Sequence, residues 1–301
     1  MHSIRRLSYG LVFLSILVGC PDAPAGPRFM GAGAKTPRYG GTLMLSEESK
    51  VRSLDPHLGF DELSGVLIEM IFDSLYSYDQ NMLLVPSLAE RTPELSSDGL
   101  TFRVPLRRGV RFHHGREMTS DDVVWSFERM LDPALNSGAV PYYTSIAGVE
   151  DFRERRAPHV RGISAQDRYT VLFTLSKPDQ SFIHKLAMRF TSVIPKEVVQ
   201  SRGKQFAARP VGTGPFMLES WERGVRLTLK RNPNYHRKGL PYLDGIVFDE
   251  EIKRETAFLR FRNGELDVIP RMAQQTRHCS RPHPGSPTLS CLHVAMCSVG
   301  S

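Results

Sequence analysis

The most constraining stretch of this chain runs from Gly99 to Pro133, GLTFRVPLRRGVRFHHGREMTSDDVVWSFERMLDP. Leu100, Phe102 and Val104 alternate with Thr101 and Arg103, the period of a strand with one buried face. Arg108-Gly109 breaks the pattern, and Val110 and Phe112 resume it around Arg111, which predicts a strand pair. A helix follows, capped by Thr119 or Ser120, with Asp121 and Asp122 in its electropositive first turn. Val123, Val124, Phe127, Met130 and Leu131 supply its apolar stripe. None of these residues forms a catalytic constellation.

The flanks continue in the same mixed style. Thr42–Leu45 fits a short buried strand, and Leu54-Asp55-Pro56-His57 turns the chain. Leu63, Val66, Leu67, Met70 and Ile71 give a helical face within a helix expected from Glu62 to Leu75, followed by a strand through Tyr78 and a turn at Asp79-Gln80-Asn81. Gly162–Leu175 reads as a hairpin, 180–188 as helical, 190–195 as extended, and Pro195 opens a short helix. The connector Pro210-Val211-Gly212-Thr213-Gly214-Pro215 leads into a second hairpin, Phe216–Trp221 and Val225–Lys230. A strand over Leu243–Phe248, a helix over Glu255–Asn263 stopped by Gly264, and a strand starting at Leu266 complete an α/β pattern.

The two ends differ from this body. MHSIRRLSYGLVFLSILVGC has a basic start, an apolar run and a small residue before cysteine, the order of a secretory leader. Leu17-Val18-Gly19-Cys20 resembles a bacterial lipobox, which implies a leader over residues 1–19, lipid on Cys20, and an extracytoplasmic body tethered to a membrane. Pro/Gly/Ala-rich residues 20–39 read as a flexible tether. Cys20 is the only cysteine before Cys279, so the body has no disulfide of its own to rely on. From Met272 to Ser301 there is no Asp or Glu, and periodicity stops. The net charge of +7 is not gathered into a basic helix or an aromatic-interleaved patch, which argues against a nucleic-acid partner.

Candidate chemistry is sparse. His113 and His114 are adjacent and so point apart on an extended chain, and with Glu117 they read as an exposed turn rather than a metal site. Gly212-Thr213-Gly214 lacks the lysine and following helix of a phosphate loop. Cys279, His283, Cys291, His293 and Cys297 have zinc-ligand chemistry but no ligand pattern. No nucleophile–base pair is marked. The reading is a binding protein with no catalytic residue, no metal and no cofactor. Tyr142 and Tyr143 follow a proline between two structured regions, a place where an aromatic ring lines a cleft.

A series of short segments resembles the extracytoplasmic solute-binding proteins of peptide and nickel ABC importers, the dipeptide- and oligopeptide-binding group. They are Ser53-Leu54-Asp55-Pro56-His57, Ile71-Phe72-Asp73-Ser74-Leu75, Leu88-Ala89-Glu90, residues 101–112, Thr119-Ser120-Asp121-Asp122-Val123 with Phe127, residues 210–216, Arg231-Asn232-Pro233-Asn234-Tyr235 and Asn263-Gly264-Glu265-Leu266-Asp267. The family commonly carries Asp or Asn where His114 stands and Pro where Glu117 stands. The resemblance implies a periplasmic-binding-protein-like fold with its first lobe in residues 40–79 and 186–270, an accessory subdomain over 80–185, and no second lobe. It implies ligand contact by Tyr142 and by the segment Phe60, Asp61 and Glu62. It also implies short peptides or related small solutes as ligands and ABC permease subunits as partners. The atypical residues 271–301 read as the product of a frame shift, the alternative being a genuine short protein with its own terminal segment. Second-lobe-like sequence in another frame of the encoding DNA is expected, and its absence would refute this. Peptide binding by the 301-residue chain is then expected to be poor or absent. The alternative is a peptide- or protein-binding lipoprotein outside transport.

Overall fold

The computed structural model describes residues 37–269. The leader, Cys20, nearly all of the tether and the atypical tail lie outside the described residues. The chain begins with β1 (Thr42–Ser46), α1 (Glu62–Ile71), β2 (Tyr76–Tyr78), β3 (Leu84–Pro86), β4 (Glu94–Leu95) and β5 (Thr101–Pro105). It continues through α2 (Ser120–Leu131), α3 (Val149–Arg153), β6 (Ile163–Asp167), β7 (Thr170–Thr174), α4 (Phe182–Lys185) and α5 (Lys196–Arg202). β8 (Phe216–Glu222), β9 (Arg226–Arg231), β10 (Gly245–Asp249) and α6 (Arg254–Arg262) complete the described order.

One sheet has the order β1-β10-β9-β8. β1 lies parallel to β10, Thr42 opposite Gly245, so the first strand is held by one that arrives only after the rest of the body is made. The β8–β9 hairpin anticipated from its alternation is present, with Leu227 and Leu229 buried. Val268 makes a parallel bridge to Leu45, which among the described residues is the part of the strand expected from Leu266 that forms.

The second sheet has the order β4-β5-β7-β6, and α2 packs against β6 and β7. Here one expectation is corrected. β5 does not pair with Val110–Phe112; its partners are β4 and β7. Val110 and Phe112 are buried while Arg111 is exposed, and Arg111 only bridges to Glu117. The alternation reported burial, not sheet pairing. Phe127 of α2 meets Phe173 and Tyr143 edge-on at centroid distances of 5.0 and 5.9 Å, so the helix stripe lands on an aromatic core.

The entry to α2 is held by its side chains. Asp122 accepts from the Thr119 N–H at 2.9 Å and from both terminal nitrogens of Arg116 at 2.9 and 2.6 Å. Arg116 also donates to Glu197 of α5, joining two helix starts. Asp122→Ala is therefore expected to lower stability by about 1–2 kcal/mol, read as a lower urea midpoint at unchanged slope. An unchanged midpoint would show that the cap is dispensable.

α1 ends at Ile71, short of the expected Leu75, because Phe72 is already extended. The Gly-Thr-Gly connector occupies the space at that end. The Gly214 N–H donates to the Ile71 carbonyl at 2.9 Å, and a Cβ on Gly212 would stand 2.1 Å from the same oxygen. Thr213 and Tyr235 donate to the buried Asp73 at 2.9 and 3.1 Å, pulling together segments far apart in the chain. Burial opposes the Asp73 charge, but His236, Thr213 and Arg237 outweigh it and hold the carboxyl below its usual range.

Candidate functional site

Three aromatic rings from separate segments form a wall. Phe60 precedes α1, Tyr142 ends a short 3-10 turn (Val140–Tyr142), and Phe190 lies in another (Arg189–Thr191). Phe190 stacks with Phe60 at 4.4 Å and with Tyr142 at 6.5 Å, the latter pair nearly coplanar in orientation at 10°. Phe190 is buried, whereas Phe60 is 42% and Tyr142 46% exposed, so the stack has one enclosed ring and two available to a ligand. Exposed aromatic surface held this firmly binds without first losing much side-chain freedom.

Glycines and one arginine make the wall possible. A Cβ on Gly138 would lie 2.8 Å from the tip of the Phe60 ring, and one on Gly65 would lie 2.9 Å from the Arg189 guanidinium carbon. Arg189 reaches the carbonyls of Gly59 and Phe60 at 3.4 and 3.2 Å and sits 5.0 Å over the Phe190 ring, fastening the Phe60 backbone beside Phe190. Asp61 caps α1, its carboxylate accepting from the Ser64 N–H at 2.9 Å. Glu62 is exposed in the first turn of the helix. Tyr143 is buried, its hydroxyl donating to the Lys185 carbonyl at 2.8 Å. The structure thus brings Phe60 and Tyr142 to a shared neighbour, turns the Asp61 carboxylate toward the helix, and places Tyr143 in the core.

The segments carrying the rings converge on His57. Its carbonyl accepts from Ser137, in the loop leading to Tyr142, at 2.7 Å. Its ring Nδ1 accepts from Arg129 at 2.9 Å, which leaves the proton on Nε2, 3.4 Å from the Ser192 carbonyl just after Phe190. Arg129 also donates to both oxygens of Asp55, at 3.0 and 2.6 Å. Burial and the Arg129 charge push the His57 ring down to about 4, so it is neutral at physiological pH. For Asp55, burial acts in the opposite direction, but Arg129 and His57 hold the carboxyl below its usual range. This cluster is an internal brace with no route to acid–base work on a ligand.

His113 corrects the expectation of a simple exposed turn. Its Nδ1 accepts from the Gly212 N–H at 3.2 Å, its Nε2 donates to the Gly214 carbonyl at 3.1 Å, and its own N–H donates to the Gly212 carbonyl at 2.8 Å. Burial pushes this ring down to about 4 as well. His114 does face outward, 3.0 Å from Glu197, and Glu117 accepts from Gly109 and Tyr169. Among the described residues no group of three or more His, Cys, Asp or Glu side chains is placed to hold a metal ion. No helix among them is long and apolar enough to cross a membrane. Phe190, Arg189, Gly65 and Gly138 also build the aromatic wall, and sequence reasoning did not single them out. The one available signal was Gly65, a glycine inside an otherwise clean helical pattern.

Comparison with known proteins places this geometry. The glutathione-binding protein GsiB of Escherichia coli K12 is 31% identical over 223 residues, 74% of this chain and 41% of that protein. The chain thus spans about two fifths of the length of the curated relatives it matches. The pheromone receptor PrgZ superposes with a TM-score of 0.75 at 21% identity, over 81% of this chain and 49% of that one. The Helicobacter pylori periplasmic binding protein DppA, solved with the peptide STSA, superposes with a TM-score of 0.69 at 30% identity, over 81% and 49% of the two chains. The α/β architecture is therefore periplasmic-binding-protein-like and corresponds to about half of such a structure. Residues 84–278 match the middle region of one family, and the chain belongs to it: the bacterial extracellular solute-binding proteins, family 5.

Proposed function

We propose that this chain is a solute-binding component of an ABC import system for short peptides, and that it receives ligand on the Phe60–Phe190–Tyr142 wall. The observation that carries this reading is the pairing of two exposed rings on one buried ring, held by Arg189 and by the His57 brace. The names of GsiB and of the DppA–peptide complex support a peptide-like ligand. The reading includes an extracytoplasmic body held at a membrane by lipid on Cys20, delivery to a permease, and a first-lobe accessory subdomain over residues 80–185. The second sheet, between Glu94 and Thr174, supports that division.

The described residues supply one wall. A peptide lying on one wall keeps its outer face in water and gains little from desolvation, so the affinity of the 301-residue chain is expected to be in the millimolar range. Titration of the full chain with a mixed library of di- to pentapeptides tests this, and micromolar binding would contradict it. Phe60→Ala and Tyr142→Ala are each expected to weaken binding about three- to tenfold while lowering stability by no more than about 1.5 kcal/mol. Equal affinities in wild type and both variants would remove the wall from the account.

A further inference from the structure

Beside Phe190 lies a groove of about 430 Å³, bounded by the last turn of α1, by β2 and by α4. We propose that it is a specificity pocket for an aromatic side chain with a donor tip, tyrosine or tryptophan, on the ligand held by the wall. This inference rests on the wall being the ligand site. The two features share Phe190 and Arg189, so a peptide lying on the wall has the groove within reach of a neighbouring side chain.

The lining selects for that class. Met188 lines it with a thioether and the buried Phe190 with the small part of its ring left exposed, partners that aromatic side chains pack against well. On another side, Tyr78 and His184 stack at 6.1 Å with 13° between their planes, fixed by a 2.7 Å hydrogen bond between the Tyr78 hydroxyl and His184 Nδ1. The volume holds one large side chain with space to spare. The charges are not equivalent. Lys185 is bound to Asp179 at 2.6 Å, and Arg189 is committed to the Gly59 and Phe60 carbonyls. Glu69 lines the groove, its carboxyl pushed up by burial against the opposing Arg189 charge, and with no ion pair within 4.0 Å among the described residues it offers an acceptor for a hydroxyl or an indole N–H.

The test is an NMR titration of the full chain with tripeptides Ala-X-Ala, where X is Ala, Leu, Phe, Tyr, Trp or Glu. Tyr and Trp are expected to bind about three- to tenfold more tightly than Ala, with Phe between them and Glu weakest. Ala187→Trp, which fills the groove, is expected to erase the preference while leaving trialanine binding unchanged. His184→Ala, at an exposed position with no part in the core, is expected to reduce the Tyr preference and guards against misfolding of the first variant. Equal affinity for every X, with Phe60→Ala still weakening trialanine, would overturn the pocket and leave the wall intact. Trialanine binding indifferent to Phe60→Ala would overturn both.

Discussion

Arg129→Met is expected to cost about 3–5 kcal/mol, because it strands a buried carboxylate. Asp55 has 4% of its side chain exposed and Arg129 has 14%, and the two are joined through both carboxylate oxygens. Without the guanidinium, Asp55 retains the His57 N–H at 3.1 Å but no opposite charge. The loss would appear as a large fall in the urea midpoint. Adding Asp55→Asn to Arg129→Met should recover much of it, since replacing both members removes the stranded charge. A loss below about 1 kcal/mol in the single variant would mean that the cluster is not a brace. The consequence extends to the proposed ligand wall, because Arg129 also fixes the His57 ring on which the Phe60, Tyr142 and Phe190 segments converge.

The second large effect is acid loss of stability. His57 and His113 each have a folded value of about 4 against an ordinary 6.5. As pH falls below 6.5 the unfolded chain takes up these protons first, so stability declines from there and the decline is complete near pH 4. Each neutral ring contributes about 3 kcal/mol that is present above the window and absent below it. Asp55 and Asp73, whose carboxyls are held below the ordinary value of 3.8, add their own losses only at lower pH. Urea unfolding at a series of pH values between 7 and 4 measures the slope. His57→Gln should remove roughly half of it, because Gln can accept from Arg129 and donate to Ser192 without titrating. A flat profile over that window would show that neither ring is buried as described.

The local parts of this fold were legible because local physics produces them. The Thr119 cap, the α2 stripe and the β8–β9 hairpin depend on neighbours within a few residues. The failures share a cause in long-range packing. Val110 and Phe112 alternate because a core covers them, and periodicity does not distinguish a buried turn from a strand. β1 finds its parallel partner in β10, and Phe72 leaves the helix because Gly212 and Gly214 crowd the Ile71 carbonyl. The site divided the same way. Phe60 was reached through resemblance and Tyr142 also through its place after a proline, while Phe190 opened a run read as extended with Arg189 just before it; both lie instead in a short 3-10 turn whose part in the wall appears only when three segments meet.

The most direct test of the account is fluorine NMR on the full chain carrying p-fluorophenylalanine at its 16 phenylalanines, titrated with short peptides. Phe60→Leu and Phe190→Leu assign the two wall resonances, and Phe127→Leu assigns a ring enclosed by Phe173 and Tyr143. The Phe60 and Phe190 signals are expected to shift together and saturate with the same affinity, while Phe127 stays in place. Saturating shifts elsewhere with Phe60 and Phe190 unmoved would contradict it.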